Sequence, residues 1–453
     1  MHYEKFADDS VKCIEDEIPF ELPDGWAWLR LQSFIDFIGG SQPPKSTFEY
    51  SPSDDNIRLI QIRDYKTDKF MTFIPRDKAR RFCSKNDVMI GRYGPPIFQI
   101  LRGLEGSYNV ALMKAVADPQ IMLNDYLFYL LQDGELLRML ESLSDRTCGQ
   151  DGINMYELNR YIVGIPPLNE QRRIIDFIEK AVPLVENVTK LKEEMSALIF
   201  QAKSKILDMA IRGRLVPQDP ADEPASLLLE RIRAEKEELI KQGKIKRDKK
   251  ESFIFRGDDN SYYLQTGNLI ESLSDWGFDD LPDSWAICCL GEICDYGNCI
   301  NVETDSIDDD AWMLDLEDIE KDTGKVLVRV KKRDRNAAST KHQFHAGQVL
   351  YSKLRPYLNK VVLADQDGFC TSEILPLEFE CIVVPEYARY YLMSPAFLRY
   401  ANHCSYGVKM PRLGTADGKK AIVPLPPYKE QERIVKAVHK TFALLDSIAE
   451  SLS

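Results

Sequence analysis

Three short stretches of this chain come close to motifs of known enzyme chemistry. Residues 39–46, Gly-Gly-Ser-Gln-Pro-Pro-Lys-Ser, differ from a phosphate-binding loop at Pro44, which stands where the second glycine belongs. Such a loop binds phosphate through backbone N–H groups, and proline has none, so the stretch does not predict ATP binding. Residues 425–428, Leu-Pro-Pro-Tyr, come close to the (Asn/Asp)-Pro-Pro-(Tyr/Phe) motif, whose first side chain accepts a hydrogen bond from the amino group that is to be methylated. Leu425 has no polar side chain and cannot accept that bond. Pro23-Asp24 with Asp64-Tyr65-Lys66 matches the Pro-Asp…(Asp/Glu)-x-Lys motif of nucleases, but a motif this short occurs by chance in most chains of this length and does not predict a nuclease.

The spacing of the cysteines and histidines does not match that of a metal site. Cys289, Cys294 and Cys299 follow one another at five-residue steps, whereas zinc sites use paired Cys-x-x-Cys spacings. His342 and His345 have no third ligand at a useful spacing. The sequence therefore predicts no metal site, no catalytic residue and no bound cofactor. We interpret the chain as a binding protein and not as an enzyme.

Charge is segregated along the chain. The formal net charge is −13, and residues 303–322 carry ten acidic side chains against one lysine. Residues 58–92 instead hold ten basic side chains against four acidic ones, and residues 329–335 hold five against one. A local basic face is what a DNA-binding protein needs, whatever its net charge.

Two strand-to-loop turns present basic side chains beside a tyrosine, residues 91–95 and 352–357. We predict that these and neighbouring loops contact DNA. The candidates in the first half of the chain are Lys45, Arg63, Lys66, Arg92, Tyr93 and Arg102. Those in the second half are Lys332, Arg333, Lys353, Arg355, Tyr357, Lys409 and Arg412.

The elements that position these residues occur twice. Residues 22–27, Leu-Pro-Asp-Gly-Trp-Ala, return 259 residues later as Leu-Pro-Asp-Ser-Trp-Ala. Residues 166–174, Pro-Pro-Leu-Asn-Glu-Gln-Arg-Arg-Ile, return 260 residues later as Pro-Pro-Tyr-Lys-Glu-Gln-Glu-Arg-Ile. Self-similarity at a long period indicates two copies of one structural unit. We call them the first repeat, which begins at residue 1, and the second repeat, which begins at residue 260. Short β-rich runs broken by Gly and Pro, followed by helical stretches at 125–143 and 385–401, predict a mixed α/β domain in each.

Each repeat continues into an amphipathic helix. Apolar residues recur at steps of three or four from Asn169 to about residue 212, which predicts one long helix with a kink at Pro183. We expect it to pair in antiparallel fashion with a shorter C-terminal helix. The predicted pairing residues are Ile174, Ile178, Val185, Val188, Leu191, Ile434, Val438, Leu445 and Ile448. The predicted fold class is α+β, with domains at 1–165 and 260–425 and helical spacers at 166–259 and 426–453.

These features resemble the specificity subunit of a type I restriction–modification system. The resemblance rests on the two Leu-Pro-x-x-Trp headings, the two Pro-Pro-x-x-Glu-Gln-x-Arg-Ile helix starts and the stretches 40–45 and 314–321. It implies two target-recognition domains that read one half each of a bipartite site in double-stranded DNA. It also implies two modification subunits that bind S-adenosylmethionine and methylate adenine at N6, and restriction subunits that use ATP for translocation. The chain itself would be non-catalytic, cytoplasmic and away from membranes.

Two other interpretations remain open at this point. The chain could be a helical protein-interaction scaffold, or a silent or partial specificity subunit without a DNA-reading role of its own. A self-contained nuclease or methyltransferase is disfavoured by the incomplete motifs. The second helix is shorter than the first, so we expect only a partial helical pair.

Overall fold

The computed structural model describes residues 2–5, 8–94, 96–143, 152–244, 252–257, 259, 261–278, 280–335 and 339–452. Residues 245–250, Asp258 and Asp279, which are mostly charged, lie outside the described residues. The chain divides into two compact units, residues 1–189 and 190–453. Each unit holds one repeat.

The first unit contains two four-stranded sheets, ordered β4-β11-β8-β9 and β6-β5-β10-β7, and the pairs β1–β2 and β3–β12. Its strands are β1 (Tyr3–Lys5), β2 (Val11–Cys13), β3 (Ala27–Arg30), β4 (Ile35–Gly39), β5 (Asn56–Ile60), β6 (Phe73–Pro75), β7 (Phe82–Cys83), β8 (Val88–Gly91), β9 (Gln99–Leu101), β10 (Gly106–Tyr108), β11 (Leu112–Ala117) and β12 (Ile162–Ile165). Its helices are α1 (Asn124–Leu130), α2 (Gly134–Ser142), α3 (Met155–Arg160) and the beginning of α4 (Leu168–Ala210).

The second unit contains sheets ordered β17-β20-β23-β18-β19, β22-β21-β24 and β13-β14-β15, and the pair β16–β25. Its strands are β13 (Ser252–Arg256), β14 (Tyr262–Thr266), β15 (Leu269–Ser272), β16 (Ala286–Cys289), β17 (Ile300–Val302), β18 (Trp312–Leu314), β19 (Val330–Lys331), β20 (Lys341–Phe344), β21 (Val349–Ser352), β22 (Val361–Leu363), β23 (Gly368–Thr371), β24 (Ile374–Leu377) and β25 (Ile422–Leu425). After the end of α4 come α5 (Ala225–Lys241), α6 (Leu290–Ile293), α7 (Pro385–Met393), α8 (Pro395–Cys404), α9 (Thr415–Lys419) and α10 (Tyr428–Leu452).

The strand pairings confirm the repeat. In the first unit β8 pairs with β9 and β11, and β10 pairs in parallel with β5 and antiparallel with β7. In the second unit β21 pairs with β22 and β24, and β23 pairs in parallel with β18 and antiparallel with β20. Because parallel pairs need a long connection between their strands, two such pairs at equivalent places indicate one topology used twice.

Each helical stretch that the sequence predicted as one helix is two helices, so that prediction was wrong in detail. In the first repeat, Asp133 accepts hydrogen bonds from the N–H groups of Glu135 and Leu136 and starts α2 after α1 has ended. In the second repeat, Ser394 accepts from Phe397 N, and Pro395 begins α8. A capping side chain, or a proline at the first helical position, restarts a helix in a new direction.

The long helix is present as one element of 43 residues, and Pro183 lies inside it. In the second unit, its last turns and α10 share one apolar core, to which Leu207, Ile434 and Val438 contribute buried side chains. Lys203 forms an ion pair with Asp446, and the segment after the helix reaches Glu430 through Gln218. The contacting residue numbers increase from 203 to 218 on the first element while they decrease from 446 to 430 on α10, so the two run antiparallel, as expected.

Candidate nucleic-acid interface

The glycine-rich stretch of the first repeat is a strand end and not a phosphate loop. The N–H of Gly40 donates to Leu112 O at 3.0 Å, and that of Ser41 donates to Tyr108 O at 3.1 Å. A Cβ atom at Gly40 would lie 1.9 Å from Asn109 O, so only glycine fits this close approach. These N–H groups are therefore already engaged within the protein. The stretch instead directs the chain from β4 towards Lys45.

The turn after β8 lies beside that strand end. The Arg92 guanidinium lies 5.4 Å from the centre of the Tyr93 ring, which is a cation–π distance. Its Nη1 atom would be 3.9 Å from a Cβ atom built at Gly39. Both side chains are half-buried. A flat aromatic ring that holds a guanidinium can present it to a phosphate or to a base edge.

Three more of the predicted basic side chains of the first repeat reach the solvent, namely those of Lys45, Arg63 and Lys66. Arg63 and Lys66 lie on the turn that follows β5, and Arg63 approaches the Phe70 ring at 5.8 Å. Lys45 and Lys66 have no ion-pair partner among the described residues. By contrast, Arg102 is 3.0 Å from an Asp125 oxygen and stacks over Phe128 at 4.0 Å. Arg102 is thus held by its own domain.

In the second repeat, two loops adjoin and bring five predicted residues together. Arg355 N donates to Pro411 O at 2.7 Å, and Leu413 N donates to Lys353 O at 3.0 Å. Leu354 and Arg412 form an isolated β-bridge. The loops after β21 and before α9 therefore form one surface, which carries Lys353, Arg355, Tyr357, Lys409 and Arg412.

That surface combines exposed aromatic rings with basic groups. Tyr357 is 49% exposed and Tyr406 is 62% exposed, and Lys409 is also exposed. Arg355 has the left-handed φ of 50°, which is uncommon for a residue other than glycine and is typical of functional turns. The Arg412 guanidinium is fixed by Glu373, with an Nη2–Oε1 distance of 2.9 Å.

Lys332 and Arg333 lie elsewhere and are neutralised by the acidic stretch. The Lys332 ammonium lies 3.1 Å from Asp309 and donates to Ile307 O at 2.6 Å. Arg333 is 3.0 Å from an Asp310 oxygen. The basic run 329–335 and the acidic run before it are thus paired in one hairpin and do not form a separate basic surface.

A buried carboxylate that the sequence analysis did not single out supports each interface. Asp64 accepts from Gln61 N at 2.9 Å in the first repeat, and Asp318 accepts from Asp315 N at 2.7 Å in the second. Burial raises the pKa of Asp64, although Arg58 lies 4.0 Å away. Asp318 also receives two bonds from Arg335. In both repeats a polar residue follows the end of the equivalent strand, and the aspartate lies three positions after it. This shared spacing could have identified the buried carboxylates from the sequence.

The cysteine and histidine candidates have structural surroundings. Cys288, Cys289 and Cys294 are buried free thiols, and burial raises the pKa of each. The His342 ring donates from Nδ1 to Ile374 O at 2.8 Å, and its burial lowers the pKa. Within the described part of the chain, no group of three or more His, Cys, Asp or Glu side chains is arranged to hold a metal ion.

The predicted helix-pairing residues fall into two sets. Ile434 and Val438 are fully buried, and Ile174, Ile178 and Leu445 are half-buried. Val185, Val188, Leu191 and Ile448 are 65%, 56%, 54% and 44% exposed. Val185, Val188 and Leu191 belong to an apolar stripe along α4 that also includes Phe177, Leu184 and Leu198, which are more than half exposed, whereas Ile448 lies on α10. A row of exposed apolar side chains on a helix marks a surface for another protein.

Together these features define a protein with two copies of one mixed α/β domain and a helical spacer. The family model for the type I restriction modification DNA specificity domain matches residues 23–197 and 282–452, and this chain belongs to that family. It is 24% identical to the specificity subunit of type I restriction enzyme EcoAI from Escherichia coli, over 93% of this chain and 78% of the relative. It is 21% identical to the EcoDI specificity subunit from Escherichia coli, over 77% of this chain and 69% of the relative.

Two solved structures share the fold. The HsdS subunit from Thermoanaerobacter tengcongensis matches with a TM-score of 0.51 at 17% identity, over 96% of this chain and 95% of that chain. A chain from a structure that describes complex assembly and conformational transition of the type I R-M system matches with a TM-score of 0.56 at 17% identity, over 96% and 94%. Among the helices of the described residues, none is long and apolar enough to span a bilayer.

Proposed function

We propose that this specificity subunit reads a bipartite, non-palindromic DNA site, with one half read by each repeat. The observation that carries the proposal is the equivalence of two turns: β8 runs into Arg92 and Tyr93, and β21 runs into Lys353 and Arg355. Equivalent strands with equivalent pairings end in basic loops whose sequences differ. Two domains of one fold with different loops suit a target whose two halves differ.

The contact residues are assigned from their surroundings. In the first repeat we assign Lys45, Arg63, Lys66, Arg92 and Tyr93, and in the second Lys353, Arg355, Tyr357 and Lys409. Most contacts of this kind position phosphates, and a good bidentate contact to a base is worth about 1–3 kcal/mol of discrimination. Arg102, Lys332, Arg333 and Arg412 are already paired with carboxylates of their own domain. We assign these four to structure, because contact with a phosphate would require each to leave its partner.

The helices would recruit the partners. The exposed apolar stripe on α4, which includes Val188 and Leu191, supports docking of two modification subunits against the spacer. The modification subunits would supply S-adenosylmethionine and adenine methylation, and restriction subunits would supply ATP-driven translocation. The specificity subunit needs no cofactor of its own in this scheme. The alternative is a protein-interaction scaffold that does not read DNA. In that case, substitutions in the basic loops would leave assembly with the partners unchanged.

The test compares genome-wide adenine methylation in cells that carry this chain and its modification subunits with cells that lack only this chain. A bipartite motif that disappears with the chain supports the proposal. Lys353→Ala with Arg355→Ala should relax or abolish one half of the motif, and Arg92→Ala with Lys45→Ala should affect the other half. Lys440→Ala, an exposed lysine on α10, is the control and should change neither. Unchanged methylation in the absence of the chain would favour the scaffold.

A further inference from the structure

A short hairpin of the second repeat, residues 406–412, lies between α8 and α9 and is closed by one antiparallel bridge. Tyr406 N donates to Arg412 O at 3.1 Å, and Arg412 N donates to Tyr406 O at 2.9 Å. Gly407 makes the sharp turn with a φ of 100°, and a Cβ atom built there would lie 3.1 Å from Met410 O. The hairpin therefore has a defined backbone, which glycine at its first turn position permits.

The base of the hairpin is fixed to the body of the repeat. The Arg412 guanidinium binds the Glu373 carboxylate with an Nη2–Oε1 distance of 2.9 Å. Arg355 N, in the loop after β21, donates to Pro411 O at 2.7 Å. Both anchors lie at the end of the hairpin, whereas its tip, residues 407–410, is exposed throughout.

The tip presents an apolar side chain to the solvent. Val408 is fully exposed, and Met410 beside it is also exposed. A single exposed apolar side chain on a protein surface is ordinary, so its surroundings decide whether it has a role. Val328 is another exposed valine of this repeat, but its neighbour Arg329 is paired with Asp365.

The surroundings of Val408 are basic and unpaired. Lys409 is exposed and follows Val408 on the tip. Lys353 and Arg355 are half-buried in the loop to which the hairpin is fixed. None of these three cations has an ion-pair partner among the described residues. An apolar group flanked by unpaired cations suits DNA, where phosphates border a groove that also exposes the edges of the bases.

The width of the hairpin fits one groove of DNA better than the other. Two antiparallel chains lie about 4.7–4.9 Å apart before their side chains are added. The major groove is about 12 Å wide and admits a two-stranded ribbon, whereas the minor groove is about 6 Å wide. The apolar group that the bases present in the major groove is the 5-methyl group of thymine.

We propose that Val408 reads a thymine in the half-site of the second repeat, by contact of its side chain with the thymine 5-methyl group in the major groove. Lys353, Arg355 and Lys409 position the hairpin by contact with phosphates. Valine is short and stiff because it branches at Cβ, whereas the side chains that separate stacked base pairs are mostly longer. The inference rests on the proposed DNA-reading function and adds to it one residue and the base that this residue recognises.

The experiment measures, by fluorescence anisotropy, binding of the complex of this chain with its modification subunits to duplexes that carry the methylated motif. In the half-site that Lys353→Ala with Arg355→Ala disrupts, each thymine is replaced in turn by deoxyuridine, which lacks only the 5-methyl group. We expect one position at which the replacement weakens binding about fourfold, the effect of burying one methyl-sized group. Val408→Ala should weaken binding to the thymine duplex and should no longer distinguish thymine from deoxyuridine at that position.

Val328→Ala is the matched control, since it makes the same substitution at another exposed valine of the repeat. It should bind both duplexes as the wild type does, and thermal melting checks that both variants are folded. A complex that binds the motif no better than a scrambled duplex overturns the proposed function and this inference with it. Specific binding that no deoxyuridine weakens, or a deoxyuridine effect that persists in Val408→Ala, overturns this inference alone.

Two further measurements separate other roles of the tip. The fluorescence of 2-aminopurine placed in the half-site reports unstacking of the bases. A rise on binding that Val408→Ala removes, without any preference for thymine, would show insertion between base pairs and would overturn the methyl contact. Reduced co-purification of modification subunits with Val408→Ala, with unchanged DNA binding by the complex that still assembles, would assign the tip to a protein contact and would also overturn it.

Discussion

Gln171 and Gln431 occupy equivalent positions at the starts of α4 and α10 and make the same three hydrogen bonds. Each side chain is fully buried. Each Oε1 accepts from a backbone N–H, that of Leu123 at 2.9 Å or Val384 at 2.7 Å. Each Nε2 donates to two carbonyls, those of Ile121 and Pro166 or of Ile382 and Pro426. The glutamine therefore fixes the spacer helix to the body of its repeat, which explains why the Pro-Pro-x-x-Glu-Gln motif occurs at both junctions.

Replacement of this glutamine should be strongly destabilising. Gln431→Leu leaves one N–H and two carbonyls buried without partners, and we expect a loss of about 2–4 kcal/mol in the free energy of unfolding. Denaturant titration followed by circular dichroism measures it. Glu432→Leu, at the exposed neighbouring position, should stay within about 0.5 kcal/mol of wild type. A similar small effect for Gln431→Leu would contradict the structural role.

The stability of the second unit should depend on the ionisation of Glu430. Burial raises the pKa of Glu430 to about 7 from an ordinary 4.5, against the lowering effect of Arg433. Because the folded state holds the proton more tightly than the unfolded state, this contribution is fully present below pH 4.5 and is lost as pH rises to about 7. A shift of this size corresponds to a contribution on the order of 3 kcal/mol.

Glu430→Gln should remove that pH dependence, because the amide oxygen still accepts from Gln218 and carries no charge. We expect the variant to be more stable than wild type at pH 8 and similar to it near pH 4.5. Denaturation midpoints measured across this range provide the comparison. Glu170→Gln, the equivalent but half-buried position of the first repeat, is the matched control. If both variants follow the wild-type pH profile, Glu430 is not the titrating group.

The contribution of individual lysines to DNA binding should differ according to their partners. Lys353→Ala in the assembled complex should weaken binding and reduce the slope of log affinity against log salt by about 0.9, the value for one phosphate contact. Lys332→Ala should change the slope much less, because Asp309 already neutralises that ammonium. Binding isotherms between about 50 and 200 mM salt distinguish the two. Equal slopes for the two variants would refute the assignment of Lys332 to structure.

The apolar stripe of α4 should matter for assembly and not for folding. Val188→Asp combined with Leu191→Asp should change unfolding free energy by no more than about 0.5 kcal/mol, since both side chains are more than half exposed. Co-purification of modification subunits should fall at least tenfold. Asn187→Asp adds one negative charge at an exposed polar position of the same helix and should leave co-purification intact. Assembly that survives the double substitution would place the modification subunits elsewhere.

Much of the architecture is determined by the sequence alone. The two returning motifs establish a repeat, and apolar residues at steps of three or four predict α4 and α10, because both signals lie in local spacing. The equivalent turns at 91–95 and 352–357 also follow from the aligned copies. Periodicity predicted one helix where α7 and α8 are two, since a single Ser-Pro step interrupts an otherwise continuous apolar pattern.

Only the tertiary structure decided which of the predicted residues are available. Lys332 and Lys353 both lie in basic stretches of the sequence. Lys332 forms an ion pair with Asp309, whereas no described carboxylate pairs with Lys353. Glu170 and Glu430 occupy the same motif position, but Glu430 is buried and accepts a hydrogen bond from Gln218, whereas Glu170 is half-buried. Which residue pairs with a charged side chain depends on which distant chain segments contact each other in the folded protein. The spacing of residues along the sequence does not reveal those contacts. The spacing of motifs and apolar residues in the sequence therefore determined the two-copy framework. Packing between distant segments determined which charged side chains remain unpaired and exposed.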